Sequence, residues 1–80
     1  MRAVKVYGVE SCNGTRRALR YLEALGVGYD FFDLNRDGHA RAWVRWKTGG
    51  EAVTPTIAVA GELLRGPTES DLARVLGRAG

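Results

Sequence analysis

The stretch AVKVYGVESCNGTRRALRYLEALGVGYDFFDL, residues 3–34, reads as strand, loop, helix and strand. AVKVY (Ala3 to Tyr7) is short, β-branched and aromatic-tipped, the composition of a buried strand. GVESCNG follows as a loop of small and polar residues. From about Asn13 to Leu25, Ala18, Leu22 and Leu25 recur at helical spacing, and Leu19 and Tyr21 widen the apolar face. Arg16, Arg17, Arg20 and Glu23 fall largely on the other side. Gly26 is a good C-terminal stop. GYDFFDL (Gly28 to Leu34) is a second strand. Two strands joined by a helix are expected to be parallel, with a right-handed crossover.

Downstream, NRDGH is a turn punctuated by Asp37-Gly38. HARAWVRWKTGG reads as a short helix with Ala40, Trp43, Val44 and the Lys47 stem on one face; Gly49-Gly50 ends it. TIAVA (Thr56 to Ala60) is a third strand entered through Thr54-Pro55, a place where a strand tolerates proline. AGEL is a tight turn and LLR a short fourth strand, antiparallel to the third because the turn is so brief. Gly66-Pro67 breaks the chain. Thr68 caps a last helix, with Asp71 at the capping-box position and Leu72, Val75, Leu76 and Ala79 as the apolar stripe. The order βαβαββα predicts an α/β fold, a four-stranded mixed sheet with three helices, as one domain over residues 1–80.

Size and composition narrow the function classes. A chain of 80 residues buries only about 60–65% of the surface its unfolded form exposes. Its one cysteine closes no internal disulfide, which fits a reducing, cytoplasmic setting. MRAVKVYGVE has no apolar core of the signal-peptide kind, and no stretch approaches the roughly 20 apolar residues of a membrane helix. Twelve Lys and Arg against nine Asp and Glu give a net charge of +3. Only Arg16-Arg17 are adjacent, so the basic face with interleaved aromatics that nucleic acid would need is missing. A monomer binding neither nucleic acid nor membrane is expected.

The candidate reactive group is Cys12, just ahead of the first helix. Unpaired N–H groups and the macrodipole place partial positive charge there. A free thiol is only about 3% thiolate at pH 7, and such a setting lowers its pKa to roughly 3.5–7.5. Arg16 and Arg17, one turn in, add to the effect. Ser11, Asn13, Gly14 and Thr15 are small and polar, which reads as an exposed loop around a nucleophile rather than an inert core cysteine. Asn13-Gly14 is a turn-forming pair that shapes this loop. His39, the only histidine, caps or sits on the second helix with no partner ligands spaced for a metal. Trp43 belongs to the core, and Trp46 is expected to be partly exposed near the Gly49-Gly50 turn, with packing favoured over a protein contact.

The order of elements, with a cysteine after the first strand and Thr-Pro before the third, resembles the glutaredoxins of the thioredoxin superfamily over nearly the whole chain. The resemblance implies a thioredoxin-like fold with glutathione, or an analogous small thiol, as cosubstrate. It makes Cys12 the counterpart of the nucleophilic cysteine of Cys-Pro-x-Cys. Pro55 matches a proline that is cis in the family. Thr54 matches the residue whose main chain pairs with the cysteine of glutathione. Tyr7 lies near the active-site edge, and Gly66, Thr68 and Asp71 near the segment receiving the γ-glutamyl end.

Departures define a variant. Thr15 stands where the second cysteine is usual, and its hydroxyl is expected to hydrogen-bond the thiolate. Asn13 replaces the proline, Val9 and Glu10 stand near the place of a lysine, and VTP replaces TVP. Gly66-Pro67 stands for a pair of glycines. The reading is a monothiol thiol–disulfide oxidoreductase acting on thiolated or disulfide-containing proteins. Two alternatives are an iron–sulfur carrier, whose usual motif is Cys-Gly-Phe-Ser, and a redox-inactive binding module that kept the fold.

Overall fold

The computed structural model of the protein describes residues 4–50 and 54–79. The chain runs β1 (Val4–Gly8), α1 (Asn13–Ala24), β2 (Tyr29–Asp33), α2 (Gly38–Lys47), β3 (Thr56–Val59), β4 (Glu62–Arg65) and α3 (Glu69–Ala79). This is the βαβαββα order expected. Ala3 and Val53 lie outside the described residues, as does the side chain of Ala79.

The strands lie in the order β2-β1-β3-β4. β1 and β2 are parallel, with Val6 opposite Phe31. β3 runs antiparallel to β1, with Val6 opposite Ile57, and β4 antiparallel to β3. Ala60 and Gly61 make the β3–β4 turn with φ of 49° and 86°, the left-handed backbone conformation of a two-residue loop that matches the right-handed twist of the strands.

Alternation along the strands divides the core in two. Val4 and Val6 of β1 with Ile57 and Val59 of β3 meet Ala18 and Leu22 of α1 and Leu72 and Val75 of α3. On the opposite face Tyr7 packs with Leu34 and with Ala40 and Val44 of α2. Each large apolar side chain so buried contributes about 1.5–3 kcal/mol.

The helix ends explain where the sequence reading and the structure part. At the end of α1, Gly26 has φ 71°, and its N–H donates to Glu23 O at 3.0 Å while Val27 N–H donates to Leu22 O at 3.0 Å. This closure satisfies the last carbonyls and leaves Leu25 50% exposed, outside the apolar face to which its spacing assigned it. In α2 the cap is Asp37, whose carboxylate accepts from Ala40 N–H at 3.0 Å, and His39 is an exposed residue beside it. Trp43 is half-buried against the second cluster. Trp46 is exposed as expected, at 73%, and lies outside the core: one residue before Lys47, it points away from the face that Ala40 and Val44 bury. Lys47 lies over both rings, 4.8 Å from the centroid of Trp46 and 5.9 Å from that of Trp43. The capping box of α3 is formed: Asp71 N–H donates to Thr68 Oγ1 at 3.1 Å and Thr68 N–H donates to Asp71 Oδ2 at 2.9 Å.

Candidate active site

Cys12 is the N-cap of α1, with extended φ and ψ of −79° and 124°. A turn sets it there: Cys12 N–H donates to Val9 O at 2.9 Å, and Cys12 O accepts from Arg16 N–H at 3.1 Å. Asn13 and Gly14 therefore belong to the first turn of the helix rather than to the loop. The cysteine is half-buried.

Its sulfur faces the entrance of β3. Thr54 Oγ1 donates to Cys12 Sγ at 3.3 Å. In the protonated form the thiol can donate to the Thr54 carbonyl, 3.9 Å away. These contacts bring the Cys12 pKa from an ordinary 9.0 down to about 7. The Thr54 hydroxyl is the largest cause, followed by the Thr15 backbone N–H; the Thr15 hydroxyl and the Gly14 N–H add less, and burial opposes. Near neutral pH about half of the sulfur is then thiolate. Arg16 and Arg17 are not among the causes. The Arg16 guanidinium is held by Asn13 Oδ1, and Arg17 points elsewhere, along a groove.

Thr15 is fully buried. Its Oγ1 accepts from Val9 N–H at 3.4 Å, and its side chain lies so close to β1 that a Cβ on Gly8 would stand 2.6 Å from that oxygen. It is a wedge between helix and strand as well as a minor partner of the sulfur.

The Thr54-Pro55 peptide is cis and Pro55 is buried. Gly14 allows α1 to approach it: a Cβ there would meet Pro55 Cδ at 3.3 Å and Cys12 Sγ at 3.8 Å. From the other side Gly66, with φ 56°, donates its N–H to Pro55 O at 2.8 Å. The turn after β4 is thereby fastened beside the cysteine.

Between the N-terminal ends of α1 and α3 runs an open groove of about 420 Å³, lined among others by Gly14, Arg17, Thr54, Pro55, Gly66 and Thr68. The fold thus brings Cys12, Thr15, Thr54, Pro55, Gly66 and Thr68 to one end of the sheet. Two other expected site residues do not line the groove. Tyr7 is buried on the opposite face, stacked at 4.9 Å on both Phe32 and Trp43; burial and then the nearby Asp37 charge raise its hydroxyl pKa above the ordinary 10.0. Asp71 is held by its capping bonds and by Arg74 at 3.5 Å, and these, the Thr68 N–H foremost, lower its pKa.

Sequence reasoning missed Arg17 as a groove wall and the Thr54 hydroxyl as a sulfur partner. Arg17 was legible in one respect, since it falls three residues after Gly14 and shares its face. The Thr54 contact depends on the junction between α1 and β3, which no local pattern reports. Among the described residues no group of three or more His, Cys, Asp or Glu side chains is placed to hold a metal ion, and no helix is long and apolar enough to cross a membrane.

Comparison with known proteins agrees with this geometry. The profile of the family described as Glutaredoxin matches residues 4–64. No curated protein sequence matches the chain. Among solved structures, a mutant of the thioredoxin-like protein BC3987 is similar at 26% identity and a TM-score of 0.86, over 96% of this chain and 97% of that one. The glutaredoxin from Archaeoglobus fulgidus is 24% identical, with a TM-score of 0.78 over 95% of this chain and 87% of that one. A theta-class glutathione S-transferase from Xanthomonas axonopodis pv. citri, solved with glutathione bound, is 24% identical, with a TM-score of 0.63 over 98% of this chain and 37% of that one. The last two likenesses are of fold alone.

Proposed function

The chain belongs to the glutaredoxin family, and from that premise we propose that it is a monothiol thiol–disulfide oxidoreductase using Cys12 and a small cellular thiol, glutathione being the first candidate. The observation that carries this reading is a cysteine whose pKa lies at about 7, beside an open groove walled by Arg17 and the start of α3. In the reaction, Cys12 thiolate attacks the small-thiol sulfur of a protein mixed disulfide. A new S–S bond forms on Cys12, the old one breaks, and the protein sulfur leaves with the electron pair and takes a proton. A second small thiolate attacks the same small-thiol sulfur, releasing the oxidised small-thiol dimer and the Cys12 thiolate. No second protein cysteine is needed. Arg17 supplies positive charge for a carboxylate of the bound thiol, Thr54 and Pro55 floor the groove, and Gly66 and Thr68 close its far side.

The test is reduction of a glutathionylated peptide with glutathione present, followed through glutathione reductase. Turnover that disappears in Cys12→Ser is expected. Failure of the parent protein to turn over, with no glutathione adduct on Cys12 by mass spectrometry, would sink the glutathione reading. The same assay with coenzyme A mixed disulfide asks whether another small thiol takes its place.

A further inference from the structure

In this chain the residues before Pro55 run Val-Thr, so a hydroxyl stands directly ahead of the cis proline. That order has a geometric result. Thr54 Oγ1 reaches Cys12 Sγ at 3.3 Å while the carbonyl of the same residue lies 3.9 Å from the sulfur. One residue therefore offers a donor to the thiolate and an acceptor to the thiol.

Other groups near the sulfur do less: the Thr15 N–H, the Thr15 hydroxyl and the Gly14 N–H each lower its pKa less than the Thr54 hydroxyl does, and the buried Thr15 Oγ1 also accepts from Val9 N–H. Arg16 is turned to Asn13 and Arg17 lines the groove. Glu10, exposed in the preceding loop, brings the wrong charge. None of these three charged side chains is a cause of the lowered pKa, and no charged group from β3 or α3 is either.

We propose that Thr54 is a catalytic residue of the exchange reaction, its hydroxyl stabilising negative charge on Cys12 Sγ both before attack and when that sulfur departs from the small thiol. The proposal rests on the monothiol reading for its chemistry, but the contact itself is testable without any small thiol. In the first step the hydroxyl raises the thiolate fraction at neutral pH. In the second, the Cys12–small thiol S–S bond breaks and its electron pair returns to Cys12 Sγ, where the same O–H donates a hydrogen bond to the developing negative charge. A lower leaving-group pKa speeds that departure. A hydroxyl placed here thus acts on both steps, whereas a distant charge would be screened by solvent.

The experiment uses the full chain with Thr54→Val, which keeps the branched shape and removes the donor, and Thr54→Ser, which keeps the donor and removes a methyl. Iodoacetamide alkylation of Cys12 is followed against pH. Thr54→Val is expected to raise the midpoint by about one pH unit, roughly tenfold less thiolate well below the midpoint; Thr54→Ser is expected to stay within about 0.3 unit of the parent. In a separate assay, Cys12 preloaded with glutathione is released by added glutathione, and Thr54→Val is expected to slow release severalfold at a pH where the attacking thiol is unchanged. An unmoved alkylation midpoint in Thr54→Val overturns the proposal. So does a midpoint raised equally in both variants, which would make the effect one of packing. If the midpoint moves as expected while glutathione neither loads nor leaves, Thr54 does stabilise the thiolate and it is the small-thiol reading that fails.

Discussion

Replacing Gly8 by alanine tests whether Thr15 is a fixed wedge. A Cβ on Gly8 would stand 2.6 Å from Thr15 Oγ1 and 2.8 Å from its Cγ2. Thr15 is fully buried, so it cannot swing into solvent to relieve the overlap. Overpacking of this kind costs about 1–3 kcal/mol, and two such contacts on one immobile side chain place Gly8→Ala at about 2–3 kcal/mol. The sign is informative, because alanine in place of a strand glycine otherwise gains about 0.5–1 kcal/mol. At about 4–8 °C per kcal/mol for a chain of this size, the melting temperature falls by roughly 10–20 °C. Thr15→Ala alone removes a long hydrogen bond to Val9 N–H and a buried methyl, about 1–2 kcal/mol. In the double variant only the 3.2 Å approach to the Cβ of residue 15 remains. The pair should then cost little more than Thr15→Ala, a coupling of about 2 kcal/mol. Urea unfolding of the four proteins measures the cycle. Costs that add to within about 0.5 kcal/mol, or a Gly8→Ala protein as stable as the parent, would refute the wedge.

Three further outcomes follow from other parts of the molecule. Cys12 titrates at about 7 when folded against an ordinary 9.0, so the unfolded chain holds the proton more tightly. The stability advantage over Cys12→Ser is therefore present above about pH 9 and lost as pH falls through about 7; partial exposure of the sulfur limits it to about 1 kcal/mol. Urea midpoints across that range check it, and a pH-independent difference would contradict it. Trp46→Ser should change stability by less than about 0.5 kcal/mol and remove the acrylamide-accessible part of the tryptophan fluorescence, whereas Leu22→Ala, in the core, should cost about 2–5 kcal/mol.

What the sequence disclosed was whatever depends on neighbours along the chain. The helical spacing of Ala18 and Leu22, the Thr68–Asp71 box and the brief Ala60-Gly61 turn are local, and each stands in the structure where its pattern put it. Leu25 shows the limit of periodicity: a left-handed Gly26 redirects the chain one residue before packing would reward the leucine. Trp46 shows another, since a large apolar side chain carries no mark of whether an opposing surface exists. Tyr7 was assigned by its place in the chain, but the pleat sends its ring to the opposite face from Val6. The Cys12–Thr54 contact spans 42 positions, and only the sheet brings those two residues together.

The sheet's two faces anchor their helices unequally. α1 and α3 share a core with β1 and β3, through Ala18, Leu22, Leu72 and Val75. α2 holds to its face chiefly through Ala40 and Val44, with the stacked rings of Tyr7 and Trp43 beside them. Opening free energies track such differences. The amides of α2 should exchange with deuterium ahead of those of α1, through openings that leave the other face closed. Cys12, Pro55 and the start of α3 all belong to that slower unit, so the fold can loosen at one side while the sulfur keeps its surroundings.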